Sequence, residues 1–342
     1  MIKNLKNKCP YVVAEIGVNH NGNLEIAKKS ILAAAKAGAD AVKFQMFNTE
    51  EFMSNSGENY KYKIKNGYKT EKMHNMFKRL EFNYSWFPIL KKLCKRKKID
   101  FFSTAGDQES ADFLAKKKSK MIKIASPDLT NLPLLQHVAK KKILTIVSTG
   151  MGEIKEIDKA VKIFRDNRCP LILLHCVSMY PTQNHDSKIA RILALKKRYT
   201  SLPIGYSDHT IGTQASIIAT TLGAIVIEKH FTLNKRLIGP DHQISLDPKE
   251  LKRFIKKVKE VKNMLGKVEI EPDKKEKLNR NLFRRSVTAK KDIKKNEKFN
   301  LNNVTLRRPE TGLHPNYLSK ILGKKSKRFL KADQKIKFSD IS

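Results

Sequence analysis

Acidic residues are scarce in this sequence. Asp and Glu number 33 against 70 Lys and Arg, a formal net charge of +37 on 342 residues. An imbalance of that size invites a nucleic-acid reading, but its pattern argues otherwise. The excess is mostly Lys, in runs such as Lys95-Arg96-Lys97-Lys98 and Lys116 to Lys118. These alternate with apolar residues at helical spacing and read as solvated outer faces. No interleaved aromatic or Gly-rich RNA-binding signature accompanies them. No nucleic-acid partner is expected, and the positive field is left to attract a small anion. Cysteine is sparse too: Cys9, Cys94, Cys169 and Cys176 form no C-x-x-C pair, as in a reduced cytoplasmic chain without a disulfide framework. No apolar run approaches the ~18 residues that would cross a bilayer. The first apolar run after Met1-Ile2-Lys3-Asn4 is broken by Glu15, so neither a secretory signal nor a membrane partner is expected. G-x-x-x-x-G-K-[ST] and G-x-G-x-x-G are both missing, so nucleotide binding in those modes is unsupported.

Short runs rich in Val and Ile recur, at 11–18, 41–47, 100–104, 121–126, 143–149, 171–178, 203–207 and 224–231. They are near-continuous rather than alternating, as strands buried on both faces should be. Amphipathic segments such as 23–37, 108–117, 153–164 and 212–222 lie between them. Eight strand–helix units within residues 1–266 predict an α/β fold, a (β/α)8 TIM barrel; an open doubly wound sheet is the structural alternative. Residues 49–80 interrupt the repeat as a polar excursion, read as a loop with a short helix near 71–80. A last helix is expected over 248–265. Residues 267–283 are charged and poor in apolar side chains, which reads as a linker, and 284–342 as a small, mostly β domain.

In such a barrel the chemistry collects at the C-terminal ends of the strands. Those ends carry Glu15 and Asn19-His20, Lys43 and Gln45, Ser103-Thr104, Lys123 and Ser126, Ser148-Thr149-Gly150, His175 and Ser178 before Tyr180, Ser207-Asp208-His209, and Glu228-Lys229-His230. A buried charge costs several kcal/mol unless paired or bound. Any single one of Lys43, Lys123 or Glu228 could belong to a structural ion pair, but eight polar strand ends are harder to explain that way. The two lysines and the hydroxyls of Ser103, Thr104, Ser126 and Ser207 suit a phosphorylated substrate. His209 and His230 stand at nearly equivalent points of neighbouring strands and could converge on one metal ion, although a satisfied core histidine is the commoner fate. His20 and His242 lie in loops beside the site, within reach of substrate.

Several of these stretches resemble one family. Ala14-Glu15-Ile16-Gly17-Val18-Asn19-His20-Asn21-Gly22, Val42-Lys43-Phe44-Gln45, Val147-Ser148-Thr149-Gly150-Met151, Gly205-Tyr206-Ser207-Asp208-His209-Thr210, Glu228-Lys229-His230-Phe231-Thr232 and Gly239-Pro240-Asp241-His242 are similar, in order, to the sialic acid synthases. Arg284-Arg285-Ser286, Lys291-Asp292-Ile293 and Arg307-Arg308-Pro309 resemble landmarks of that family's SAF (antifreeze-like) domain. The resemblance implies an enzyme that condenses phosphoenolpyruvate with an open-chain N-acetylated amino sugar. The acceptor would be N-acetylmannosamine or a diacetamido-dideoxyhexose, giving N-acetylneuraminate or a legionaminate-type acid plus phosphate.

The resemblance also implies roles. Lys43, Thr104, Lys123, Ser126, Ser178 and Ser207 would hold phosphoenolpyruvate. Glu15, Gln45, Tyr180 and Asp241 would hold the sugar or handle protons. His209 and His230 would ligate a divalent ion, Mn2+ or else Mg2+ or Co2+. Arg308 would reach the sugar's N-acyl group from a partner subunit, in a homodimer with exchanged C-terminal domains. Gly312-Leu313-His314-Pro315 resembles the pseudaminic acid synthases instead, which makes that activity the alternative. More distant is a barrel enzyme condensing phosphoenolpyruvate with a sugar phosphate. A nucleic-acid binder and an ice- or glycan-binding protein built on the SAF domain leave the strand-end clusters without a role.

Overall fold

The apolar runs become strands buried on both sides: one face of each meets the other strands inside a ring, and the opposite face meets a helix. The computed structural model describes residues 10–55 and 57–342; Met1-Ile2-Lys3-Asn4 and Cys9 lie outside them. Strand β1 (Tyr11–Gly17) leads to helix α1 (Leu24–Ala37) and β2 (Ala41–Met46). An insertion follows, made of α2 (Thr49–Phe52), β3 (Asn59–Ile64), β4 (Gly67–Lys72) and α3 (Met73–Leu80). The alternation resumes with α4 (Trp86–Lys97), β5 (Asp100–Ala105), α5 (Gln108–Lys116), β6 (Met121–Ile124), α6 (Leu132–Lys140), β7 (Leu144–Ser148), α7 (Ile154–Asp166), β8 (Leu171–Cys176), α8 (Arg191–Arg198), β9 (Ile204–Asp208), α9 (Gln214–Thr221), β10 (Val226–His230) and α10 (Pro248–Leu265). The ring closes in the order β1-β10-β9-β8-β7-β6-β5-β2, with every neighbouring pair parallel. This is the (β/α)8 barrel that the sequence predicts.

The two-residue alternation of strand side chains decides what the barrel encloses. Tyr11, Val13, Ala41, Phe102, Met121, Leu144, Ile146, Ile172, Leu174 and Val226 form one buried apolar cluster. Two residues further along, on the same faces, stand Glu15, Lys43, Thr104, Lys123, Ser148, Cys176, Ser207 and Glu228, all buried. The interior therefore turns from hydrocarbon to charge within one layer. The opposite strand faces, with Val12, Val42, Ile122, Leu173 and Ile227, pack against the helices in a larger cluster that includes Phe254 of α10.

The insertion departs from expectation. Residues 59–72 form an antiparallel hairpin, not a loop, with Ile64 opposite Gly67 across the turn. Tyr60, Tyr62 and Ile64 alternate along one face and pack with Phe47, Met76 and Leu80. The hydrophobic alternation and Asn66-Gly67 were the signals for it; five lysines between 61 and 72 masked them. The chain divides into two compact units, 1–266 and 267–342. In the second, Val287, Ile293, Phe299, Val304, Leu313, Leu330 and Ile336 form a core around antiparallel β11 (Ser286–Ala289) and β12 (Val304–Arg307). The segment read as linker is partly helical. Helix α11 (Lys274–Phe283) is capped by Asp273, whose side chain accepts from Glu276 N, and buries no residue. Its Lys, Glu, Leu and Arg are good helix formers, so a lack of apolar burial did not mean a lack of structure.

Helix α10 starts with a reciprocal cap: Asp247 Oδ1 accepts from Glu250 N at 2.8 Å and Glu250 Oε2 from Asp247 N at 2.9 Å. Asp247→Ala should cost about 0.5–2 kcal/mol, read as a lower urea midpoint with unchanged slope.

Candidate active site

Four charges meet at the floor of the barrel mouth. Lys43 Nζ lies 2.8 Å from Glu15 Oε2 and 3.8 Å from Glu228 Oε2, and donates to Thr104 Oγ1 at 3.0 Å. Lys123 Nζ donates to Ser148 Oγ at 2.7 Å and lies 3.8 Å from Glu228 Oε1. Glu228 thus sits between the two lysines and also accepts from Ser207 Oγ at 3.0 Å. Burial pushes the Glu15 carboxyl up to about 7, a rise that Lys43 opposes and Glu228 reinforces. Burial also pushes Glu228 upward, but Lys123 and Lys43 outweigh it and hold that carboxyl below its ordinary range. Lys43 is pulled down by burial and carried above its ordinary value by Glu15 and Glu228. Burial wins at Lys123, whose pKa is lowered despite Glu228.

One layer further out the groups lack partners. Ser178 Oγ is buried with no hydrogen-bond partner. It faces Gly150, whose N–H donates to Ser126 Oγ at 3.1 Å. A Cβ at Gly150 would stand 2.4 Å from Ser178 Oγ and 2.7 Å from Ser126 Oγ, so only glycine leaves this space open. Two hydroxyls and an amide around a gap are what a phosphate or carboxylate needs. Gly17, at φ +53, brings the chain over Glu15; a Cβ there would lie 2.9 Å from Glu15 Oε1. The latter oxygen accepts from Gln45 Nε2 at 3.1 Å.

The imidazoles of His209 and His230 face each other with centroids 5.3 Å apart, and the Tyr180 ring lies against His209 at 4.1 Å. His209 Nδ1 contacts the Val177 carbonyl at 2.7 Å. Burial pulls His209 down, but Cys176 and that carbonyl carry it above its ordinary value; once the ring is neutral, donation of the Nδ1 proton there leaves Nε2 with a free lone pair. His230 Nδ1 is buried without a hydrogen-bond partner and lies 3.6 Å from Asp241 Oδ2. Burial, aided by His209, holds His230 far below the ordinary histidine range, so its imidazole is neutral. An orphaned imidazole nitrogen opposite a tautomer-fixed one fits a divalent ion. Among the described residues no group of three or more His, Cys, Asp and Glu is placed to hold a metal, so two imidazoles would leave positions open to substrate.

Beside the histidines opens a cavity of about 210 Å³. Gln45, Thr104, Tyr180, His230 and Asp241 supply its polar wall, while Val18, Phe47, Phe52, Met76 and Phe77 supply an apolar one. Burial pushes Asp241 up to about 6. A roomier cavity, about 750 Å³, lies elsewhere, beside α7 and α8 and lined by Met151, Arg191 and Lys197; size alone does not mark the site.

Residues 30–270 match the NeuB family and residues 284–342 the SAF domain. The chain is a member of the NeuB family. It is 39% identical to the N,N'-diacetyllegionaminic acid synthase of Legionella pneumophila, over 92% of this chain and 89% of that one. It is 36% identical to the pseudaminic acid synthase of Campylobacter jejuni, over 98% and 97%. Among solved structures it resembles an N-acetylneuraminic acid synthetase from Leptospira borgpetersenii, crystallised with citrate (TM-score 0.74, 36% identity, 80% of this chain and 90% of that one).

In this NeuB-family barrel, Glu15, Lys43, Gln45, Thr104, Lys123, Ser126, Ser178, Tyr180, Ser207, His209, His230 and Asp241 gather around one mouth. Arg308 belongs to the C-terminal unit, where it is exposed with its guanidinium 5.7 Å from the Phe283 ring. His20 and His242 are not at the cavity wall. Both are fully buried, His20 among Phe44, Phe82 and Trp86 and His242 against Thr232 and Asn21, and burial lowers both to about 4. They were misread because a loop position near strand ends says nothing about which way a ring turns. Glu228 is the reverse case: it was noted as a buried strand charge but not chosen as a site residue, although its register opposite Ser207 aims it inward. Ser148 was likewise read as a polar strand end but not chosen, and Tyr60 gave no distinctive signal.

The raised Glu15 carboxyl has a consequence with a definite sign. Below about 7 it is protonated and Lys43 loses its nearest counter-ion. The acid limb of kcat/KM should fall through about 7, as an apparent value of the whole cluster, and Glu15→Gln should flatten it. Since the folded value lies above the ordinary glutamate value of about 4.3, native protein holds the extra proton between the two. The Glu15 contribution to stability should therefore decline as pH rises across that window, and urea melts of wild type and Glu15→Gln should converge at low pH.

Proposed function

We propose that this chain condenses phosphoenolpyruvate with an open-chain N-acetylated amino sugar to give a nonulosonic acid and phosphate. The observation that carries the reading is the pair of buried lysines, Lys43 and Lys123, on either side of Glu228 and beneath a hydroxyl-and-amide cradle in which Ser178 Oγ has no partner. Lys43, Thr104, Lys123 and Ser207 would take one anionic end of the enol substrate and Ser126, Ser178 and Gly150 N the other. The enol methylene attacks the acceptor's aldehyde carbon, water adds to the former enol carbon, and phosphate leaves. Glu15 steers that water and takes its proton, with Gln45 holding the carboxylate in place. His209 and His230 would hold a divalent ion, Mn2+ first and Mg2+ or Co2+ as substitutes, with Asp241 beside them. When bound, it supplies Lewis-acid polarisation of the acceptor carbonyl. Work of this kind on small metabolites belongs in the cytoplasm.

The apolar side of the cavity favours one acceptor class. A hydroxyl set against Phe47, Phe52, Met76 and Phe77 would lose water without gaining a partner, at about 1–3 kcal/mol. A methyl group at the sugar's end and a second acetamido group in place of a hydroxyl suit that wall, which supports a legionaminate-type product over N-acetylneuraminate. The pseudaminate alternative stands beside it, since the chain is 36% identical, over 98% of its length, to a pseudaminic acid synthase, while the Gly312-Leu313-His314-Pro315 stretch itself serves the fold. Leu313 is core, and His314 Nδ1 accepts from Asn316 N at 3.2 Å, so both serve the turn. Mass spectrometry of products from phosphoenolpyruvate with a panel of N-acetylated hexosamines tests the reading. Condensation with a 6-deoxy diacetamido sugar should exceed that with N-acetylmannosamine by about 10-fold or more in kcat/KM. EDTA should abolish turnover and Mn2+ restore it. Release of no phosphate with any acceptor would refute the activity.

The subunit arrangement belongs to the same proposal. Met179, Tyr180, Ile211 and Ile238 are exposed apolar residues in the loops after β8, β9 and β10, a surface for a partner subunit's SAF domain to dock on in an exchanged homodimer. Arg308 would then reach the sugar's N-acyl group from that partner. Arg308→Ala and His209→Ala homodimers should each be inactive, and mixing them under subunit exchange should restore part of the activity. A monomer at working concentration, or no recovery in proven hybrids, would overturn the exchange.

A further inference from the structure

The backbone ladder between β9 and β10 ends at the rung Lys229↔Asp208, one residue short of the two imidazoles. Asp208 and Lys229 point away from the barrel interior, on the face opposite Ser207 and Glu228. They are almost completely buried, at 0% and 1% side-chain exposure, and Lys229 Nζ lies 3.1 Å from Asp208 Oδ2. Asp208 Oδ1 accepts from both the amide and the hydroxyl of Thr210 at 2.8 Å, and Oδ2 from Ser216 Oγ at 2.5 Å. Lys229 Nζ also donates to the Thr210 carbonyl. The network therefore grips the chain on both sides of His209, at 208 and 210, and ties it to the residue before His230.

We infer that the Asp208–Lys229 pair is a positioning clamp that sets the separation of the His209 and His230 imidazoles beyond the last β9–β10 rung, where the backbone otherwise holds His230 through Glu15 of β1 and His209 through Thr182. An ion pair is a poor way to stabilise this interface, since apolar residues of similar volume commonly serve as well or better. A fully satisfied polar network does something that apolar packing does not: it fixes one arrangement of the groups that it joins. Here those groups are the backbone segments that carry the two rings. The inference rests on the proposed metal site.

The test is Mn2+ affinity of the intact protein, by titration calorimetry and by the Mn2+ EPR signal, beside thermal melting. The double substitution Asp208→Leu/Lys229→Met removes the clamp without leaving a lone buried charge. It should keep a cooperative melt and bind Mn2+ about 10–100-fold more weakly. Lys229→Arg, which keeps the ion pair, should recover most of the affinity. Should the double variant not fold, Ser216→Ala removes one contact to Asp208, and a several-fold loss of affinity with a native melt is expected. Asp247→Ala, which lowers stability elsewhere, should leave affinity unchanged and so separates positioning from destabilisation. A folded clamp variant with wild-type Mn2+ affinity would overturn the clamp. Wild-type protein that binds no Mn2+ would overturn the metal site itself, a distinct failure.

Discussion

Two lysines held inside a closed strand ring must be compensated within a few ångströms, and most of the site follows from that requirement. Leaving either uncompensated would cost about 3–5 kcal/mol. Glu228 answers both at 3.8 Å, and Glu15 answers Lys43 at 2.8 Å. Thr104, Ser148 and Ser207 take hydrogen bonds that water would otherwise supply. With Glu15 ionised the quartet is neutral; with Glu15 protonated it carries one positive charge. An incoming anion pushes the Glu15 pKa upward, so the two lysines must answer the new charge if Glu15 is to stay ionised.

The layer order makes this arrangement tolerable. Hydrocarbon fills the lower barrel interior, the quartet occupies the next layer, and unpartnered groups sit outermost, where substrate can reach them. Ser178 Oγ and His230 Nδ1 are buried polar atoms without partners, and such atoms are uncommon in folded proteins unless something binds there. The Asp208–Lys229 network works on the outer face of the same two strands, so polar pairs on both faces converge on the ends of β9 and β10.

The insertion between β2 and α4 supplies what the ring itself does not. Tyr60 on the hairpin and Phe52, Met76 and Phe77 on the flanking helices wall one side of the cavity. Strand ends provide charge and two facing imidazoles, whereas this excursion provides an apolar surface. That division matches the general pattern of barrels, in which the βα loops carry specificity.

Strand identity, barrel closure and most of the mouth were legible in the sequence because they are local or periodic. Eight Val- and Ile-rich runs state burial on both faces, and Lys43, Lys123 and Glu228 announce themselves as charges where none should be. His209 and His230 were paired by their equivalent places in adjacent strands. Only the tertiary structure decided which partner each charge takes. That Glu228 bridges the lysines, that Asp208 and Lys229 face outward, and that His20 and His242 turn into the core depend on strand register and ring direction. The hairpin at 59–72 and the helix at 274–283 were likewise decided by packing and capping, within stretches whose lysine content resembles loop. The physical reason is the same throughout: periodicity is a property of neighbours in the chain, whereas pairing of buried charges is a property of neighbours in space.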